Sequence, residues 1–273
     1  MNVIELSWWE LGLAALLVLA LAACAHWARL GMSTSLIVAA VRTVVQLALV
    51  GLVLEVLFSV AALQWVALMA CVMLLVAGRE VMARQKRRLV GGWTFGIGTL
   101  SMFLSSFTVT VLALVVVIGP EPWYTPQYAI PLLGMMLGNT MTGVALGLDR
   151  LTDTVWRQRA VIEARLMLGE SWNEAIADIR RDAIRSGLIP IVNAMAAAGV
   201  VSLPGMMTGQ ILAGSPPALA VKYQILVMFA ITVGTGFGTL AAVAAGSRRL
   251  FDERERLRVD RLTAAADANN GAR

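Results

Sequence analysis

Apolar residues run along this chain in seven stretches, at residues 8–30, 33–58, 61–82, 93–118, 128–148, 188–212 and 221–246, separated by short polar connections. A hydrocarbon core of about 30 Å needs about 20 apolar residues per crossing helix, and each stretch meets or approaches that length. One polar interval is long. Residues 149–187 carry seven acids and seven arginines in alternation, with helix formers around the single internal glycine, Gly169. Gly169 can end one helix in left-handed geometry. The run Ser171-Trp172-Asn173-Glu174 has the form of a capping box that starts another. The pattern therefore predicts a short helix over about 160–168, turned against a second helix from Ser171 to about Ser186. After Gly246 a charged helix is expected, with Leu250, Leu257 and Leu262 on one side, before the segment 263–273 fades into disorder.

The composition agrees with the pattern. Of 273 residues, 59% are hydrophobic and 14% charged, and the mean hydropathy is +0.77, against about 25% charged in soluble domains. The fold class is all-α, a polytopic membrane protein of about seven transmembrane helices with a helical coupling loop. Two parts are expected: a permease domain over 1–246, including the loop at 149–187, and a charged C-terminal tail over 247–273. A net charge of +5 would hint at nucleic acid in a soluble domain, but here its placement matters more, and no nucleic-acid partner is expected. Arg84, Lys86, Arg87 and Arg88 follow the third stretch, the loop arginines follow the fifth, and Arg248, Arg249, Arg254, Arg256 and Arg258 follow the seventh. The positive-inside rule makes these regions cytoplasmic, with the N-terminus outside and the C-terminus inside. Connections 119–127 and 213–219 carry no basic residue, and the former has Trp123, Tyr124 and three prolines. Lys222 is the one exception. The opening MNVIELSWWE has no basic residue, so the first stretch is expected to remain as a helix, not to be cleaved as a signal peptide.

Polar and helix-breaking residues inside apolar stretches mark candidate chemistry. Arg42, with Gln46 one turn on, costs about 2.5–3.5 kcal/mol at a bilayer centre and should face protein or water, as a gate or as a cap for carbonyls of a broken helix. Glu55 and Glu80, near stretch ends, read as interfacial. In the fifth stretch Gly134, Gly138 and Gly143 permit close helix packing; Asn139 with Met135 and Met141 could instead meet a substrate or a dimer partner. In the sixth, Pro204-Gly205 should break the helix at membrane depth, which is tolerated only where protein or a wet cavity satisfies the freed carbonyls. Met206 and Gln210 stand beside it.

Absences narrow the function. The only lysines are Lys86 and Lys222, and neither completes a phosphate-binding G-x-x-x-x-G-K-[ST] loop, so the chain cannot hydrolyse ATP by that mechanism. His26 is the sole histidine, and Cys24 and Cys71 lie apart in apolar runs. A histidine or thiolate metal cage within one chain is excluded, leaving oxygens, amides and thioethers as ligands.

Several stretches together resemble the FetB-type permeases, which include bacterial iron-export permeases of ATP-binding-cassette (ABC) transporters and plant aluminium-sensitivity permeases. They are RTVVQL at 42–47, GMMLGNTM at 134–141, the loop motif at 163–169, LPGMMTGQIL at 203–212 and VKYQ at 221–224. In the loop, Glu163, Ala164 and Gly169, with Ile179 ten residues on, are similar to the E-A-A-x3-G-x9-I element with which ABC permeases dock on their ATPase; Arg165 stands where a second alanine is usual. The resemblance implies a permease subunit that is no enzyme by itself and binds no cofactor. A separate ATP-binding subunit would hold ATP and magnesium. It also implies a homodimer, location in a bacterial inner membrane, and export of a metal ion, iron foremost. Thioethers, by contrast, favour Cu(I). The alternatives are an ABC permease for an organic or lipid substrate, and a secondary transporter or channel.

Overall fold

The computed structural model describes residues 7–60 and 62–263; the disorder expected at 264–273 lies outside them. All regular elements among the described residues are helical. They are α1 (Trp8–Trp27), α2 (Ser33–Val60), α3 (Leu63–Ala83), α4 (Trp93–Ile118), α5 (Pro126–Arg157), α6 (Arg159–Met167), α7 (Trp172–Ala175), α8 (Ala177–Ala197), α9 (Gly205–Leu212) and α10 (Pro217–Arg249), with a 3-10 turn at Val259–Arg261. Six of these, α1 to α5 and α10, are long and apolar enough to cross a membrane. The sixth stretch of the sequence is not one helix: it falls into the second half of α8 and the whole of α9, with a non-helical turn ending at Pro204. At about 1.5 Å per residue, eight-residue α9 spans about 12 Å and cannot cross alone.

Local signals set the helix ends. Ser7 and Glu10 form a capping box on α1, where the Ser7 amide donates to Glu10 Oε2 at 2.7 Å. Pro126 and Pro217 open α5 and α10 at the first turn, where a missing amide proton costs nothing. Gly119, at φ 63°, closes α4, which carries two π-helical segments, Phe103–Phe107 and Ala113–Ile118.

The core is a pack of α3, α4, α5, α8 and α10, with α5 at its centre. Its closest approach is a three-helix seam of small residues. A Cβ placed on Gly143 of α5 would stand 2.7 Å from Thr239 Oγ1 of α10 and 3.0 Å from the Gly187 carbonyl oxygen of α8, so only glycine fits. Gly138, by contrast, would meet nothing within 4 Å. The helices α1 and α2 pair with each other at Ala22 and Ala25 and are otherwise almost bare of protein contact. Their apolar surfaces suit lipid.

Two segments depart from the sequence expectation. The second loop helix does not stop near Ser186: α8 runs unbroken from the polar interval into the bundle as far as Ala197, because Gly187 packs flush in the seam. The tail does not continue as a helix. It leaves α10 at Arg249, turns at Asp252, whose carboxylate accepts the Arg254 and Arg256 amides at 2.9 Å each, and returns so that Leu250, Phe251 and Leu262 join the buried core. Leu262 pairs with Leu89 of the α3–α4 connection, and the Val90 amide donates to the Arg261 carbonyl at 2.8 Å.

Candidate functional site

At the arginine-rich end, α5 continues past the apolar stretch and α6 folds back from it. The turn after α6 is built as the sequence forecasts. Gly169 sits at φ 93°; its amide donates to the Leu166 carbonyl at 3.1 Å, and the Glu170 amide to that of Arg165 at 3.2 Å. This is the Schellman pairing that satisfies a helix end. The Ser171 amide then donates to Glu174 Oε2 at 2.9 Å and the Glu174 amide to Ser171 Oγ at 3.4 Å, completing the capping box of α7. The Ser171 hydroxyl also donates to Glu174 Oε2, at 2.6 Å, and the two bonds that Ser171 donates hold the Glu174 carboxyl below its ordinary value, the side-chain bond being the larger cause.

Side chains lock this elbow. Ile162, Ala175, Ile176 and Ile179 are buried in the bundle core. Arg165, at the position where alanine is usual, donates to the Ala175 carbonyl at 3.3 Å and lies 3.7 Å from Asp178, bracing α6 against α7 and α8. The returning tail closes the far side: the Trp172 amide donates to Glu255 Oε2 at 3.0 Å, and the Trp172 and Phe251 rings lie 5.7 Å apart. Glu163, Ala164 and Gly169 face solvent. So do two residues that motif reasoning passed over: Met167 and Leu168, at the tip, are 82% and 85% exposed. They form an exposed apolar pair on a braced tip.

Among the polar groups of the apolar stretches, Arg42 of α2 is paired with Glu80 of α3. Gln46, one turn on, is exposed. Asn139 donates to the Met135 carbonyl at 2.8 Å on its own helix and shares an exposed stripe of α5 with Gly138, while Met135 is partly buried on the same face. Met141 points elsewhere, packed against the core at the basic end. The three residues do not form one cluster. Among the described residues no group of three His, Cys, Asp or Glu side chains could hold a metal ion.

The break before α9 opens a cavity of about 480 Å³ between α8, α9 and α10. Pro204 lines it, and Met206 packs instead against the core at the opposite end from the arginines. Thioethers of Met195, Met207 and Met228 line the cavity together with Gln224, which is nine-tenths buried and has an Oε1 without a hydrogen-bond partner. Gln210 has a buried, unpartnered Oε1 as well. Sequence reasoning quoted Gln224 within VKYQ and Met207 within LPGMMTGQIL but missed Met195 and Met228. The signal for Met228 was the face of α10 that it forms with Val221, Gln224 and Ile225 at helical spacing, which opens on the break.

Residues 8–251 match the family described as "Uncharacterised protein family (UPF0014)". The UPF0014 membrane protein slr1647 of Synechocystis is 41% identical over 94% of this chain and 98% of its own. The probable iron export permease protein FetB of Escherichia coli is 32% identical over 93% of this chain and 95% of its own. The protein ALUMINUM SENSITIVE 3 of Arabidopsis thaliana is 32% identical over 79% and 77% respectively. No solved structure matches.

Proposed function

The chain belongs to the UPF0014 family, and from that premise we propose that it is the membrane permease subunit of an ATP-driven ABC exporter. It works as a homodimer with two copies of a separate ATPase subunit, which holds ATP and magnesium, in a bacterial inner membrane with its arginine-rich end in the cytosol. Metal ions are the substrate, iron first among them, in line with the name of the Escherichia coli relative, a probable iron export permease protein.

The observation that carries the reading is the braced elbow with its bare apolar tip at Met167 and Leu168. A chain with no phosphate-binding loop needs a partner to supply work, and a rigid lever at the end of α5 and the start of α8 transmits force directly into the seam of Gly143 and Gly187. The dimer is supported by the exposed stripe of Gly138, Asn139 and Leu146 on α5, which brings an amide to a surface otherwise facing lipid.

The test is co-purification with a tagged ATPase subunit. Met167→Ser with Leu168→Ser should lose the ATPase while permease abundance in the membrane is unchanged. Undiminished recovery would overturn the docking assignment. ATP hydrolysis by the reconstituted complex against Fe, Mn, Co, Ni, Cu and Zn ions tests the substrate. A second reading, an organic or lipid substrate, is favoured by the cavity at the helix break, where Gln224 is the one side chain with a polar group. Stimulation by organic cations or lipids and by no metal would select it.

A further inference from the structure

We propose that the cleft between α4, α10 and the returning C-terminal segment binds the headgroup of an anionic phospholipid. The cleft measures about 810 Å³ and is lined by five arginines, Arg248, Arg249, Arg254, Arg256 and Arg261, against two carboxylates, Asp252 and Glu253. Of these five arginines only Arg256 is paired with a carboxylate among the described residues, with Asp252 at 2.8 Å. Arg261 is fixed by carbonyls instead, donating to those of Arg249 at 2.8 Å and Phe251 at 3.2 Å. Arg249 lies 4.2 Å from the Trp93 ring centroid. Four guanidinium groups thus line the cleft without an ion pair to either of its two carboxylates, and an anion entering the cleft relieves their mutual repulsion while accepting forked hydrogen bonds.

Position selects lipid over a soluble anion. Trp93 opens α4 and Arg249 closes α10, so the cleft lies where two membrane-spanning helices end. Trp93, half exposed, is the residue type that favours the headgroup level. Ile97 and Ala245, one turn further into the membrane-spanning part, give the cleft an apolar floor. Basic above and apolar below, it matches a phospholipid lying along α4 and α10.

Native mass spectrometry of the full-length permease, delipidated by detergent exchange and then offered phosphatidylglycerol or phosphatidylcholine at equal concentration, tests this. Wild type should retain phosphatidylglycerol at least fivefold better. Arg249→Gln with Arg254→Gln should bring retention down to the phosphatidylcholine level, and Arg254→Gln alone, which removes no described contact, should lower it at least twofold. Arg150→Gln with Arg185→Gln, outside the cleft, should change nothing. Equal retention of the two lipids, or unaltered retention by the cleft variants, would overturn the proposal. So would displacement of the lipid by millimolar inorganic phosphate, which marks a free-anion site, or by the stoichiometric ATPase subunit, which marks a protein face.

Discussion

The Arg42 guanidinium of α2 and the Glu80 carboxylate of α3 form an ion pair between helices that have little else in common. Arg42 is the tenth of 28 residues in α2, about 14 Å from its start, and Glu80 is three residues from the end of α3. The arginine therefore does not stand alone at mid-membrane: it reaches back toward the basic end, where a counter-charge waits. The opposite end of α2 is held through Leu54 and Leu57 against the core. Between these two attachments α2 is open.

This geometry predicts coupling between the two residues. Arg42→Gln and Glu80→Gln should each destabilise the protein, and the double variant should lose less than the sum, with an interaction energy of about 0.5–3 kcal/mol. Thermal unfolding in detergent across the four-member cycle measures it. Additive losses would mean that lipid or water, not the partner, satisfies each charge.

The glycine seam predicts intolerance of a single methyl group. Gly143→Ala forces its Cβ against Thr239 and the Gly187 carbonyl, at a cost of about 1–3 kcal/mol. Gly51→Ala, in open space on α2, should be neutral to slightly stabilising. Melting temperatures of the two variants in one detergent decide it; a similar fall in both would show that helix context, not the seam, governs.

What the sequence disclosed was whatever rests on local chemistry. The apolar stretches, the left-handed Gly169, the Ser171–Glu174 box and the break at Pro204 all follow from residue type and spacing, and all are present. What escaped depends on distant neighbours. The passage of α8 through Ser186 needs Gly143 and Thr239 to be opposite Gly187. Arg165 looked like a flaw in the loop motif until Ala175 and Asp178 were beside it. The tail misled for a specific reason: Leu250, Leu257 and Leu262 fit a helical stripe, yet Asp252 captures two amides ahead and Glu255 takes a positive φ of 57°, so the chain turns.

The capping box carries a pH dependence with a definite sign. Glu174 has its carboxyl held below the ordinary 4.5 by hydrogen bonds from Ser171. A lowered acid contributes stability that is complete above its unfolded value and is lost as pH falls through the folded one. Amide protection at Ser171 to Ala175, corrected for intrinsic exchange, should therefore hold at neutral pH and decline only well below 4.5. Glu174→Gln should show weaker protection at neutral pH and no such decline. Matching profiles in the two proteins would remove the box from the account.

Orientation follows from charge and can be read chemically. Every basic cluster, including Arg29 in the α1–α2 turn, lies at the end where α5 enters the elbow, whereas Trp123, Tyr124 and Thr125 lie at the other. If the arginine-rich end is cytosolic, a membrane-impermeant maleimide applied to intact cells should label Thr125→Cys and leave Ser171→Cys untouched until the membrane is permeabilised. Native Cys24 and Cys71 sit in membrane-spanning helices, so replacing both with Ala first removes any background. The elbow of α6 and α7 could then meet an ATPase only from the cytosol, where ATP is. The reverse labelling pattern would place Met167 and Leu168 outside the cell, beyond reach of any nucleotide-driven partner, and the docking proposal would fall with the topology.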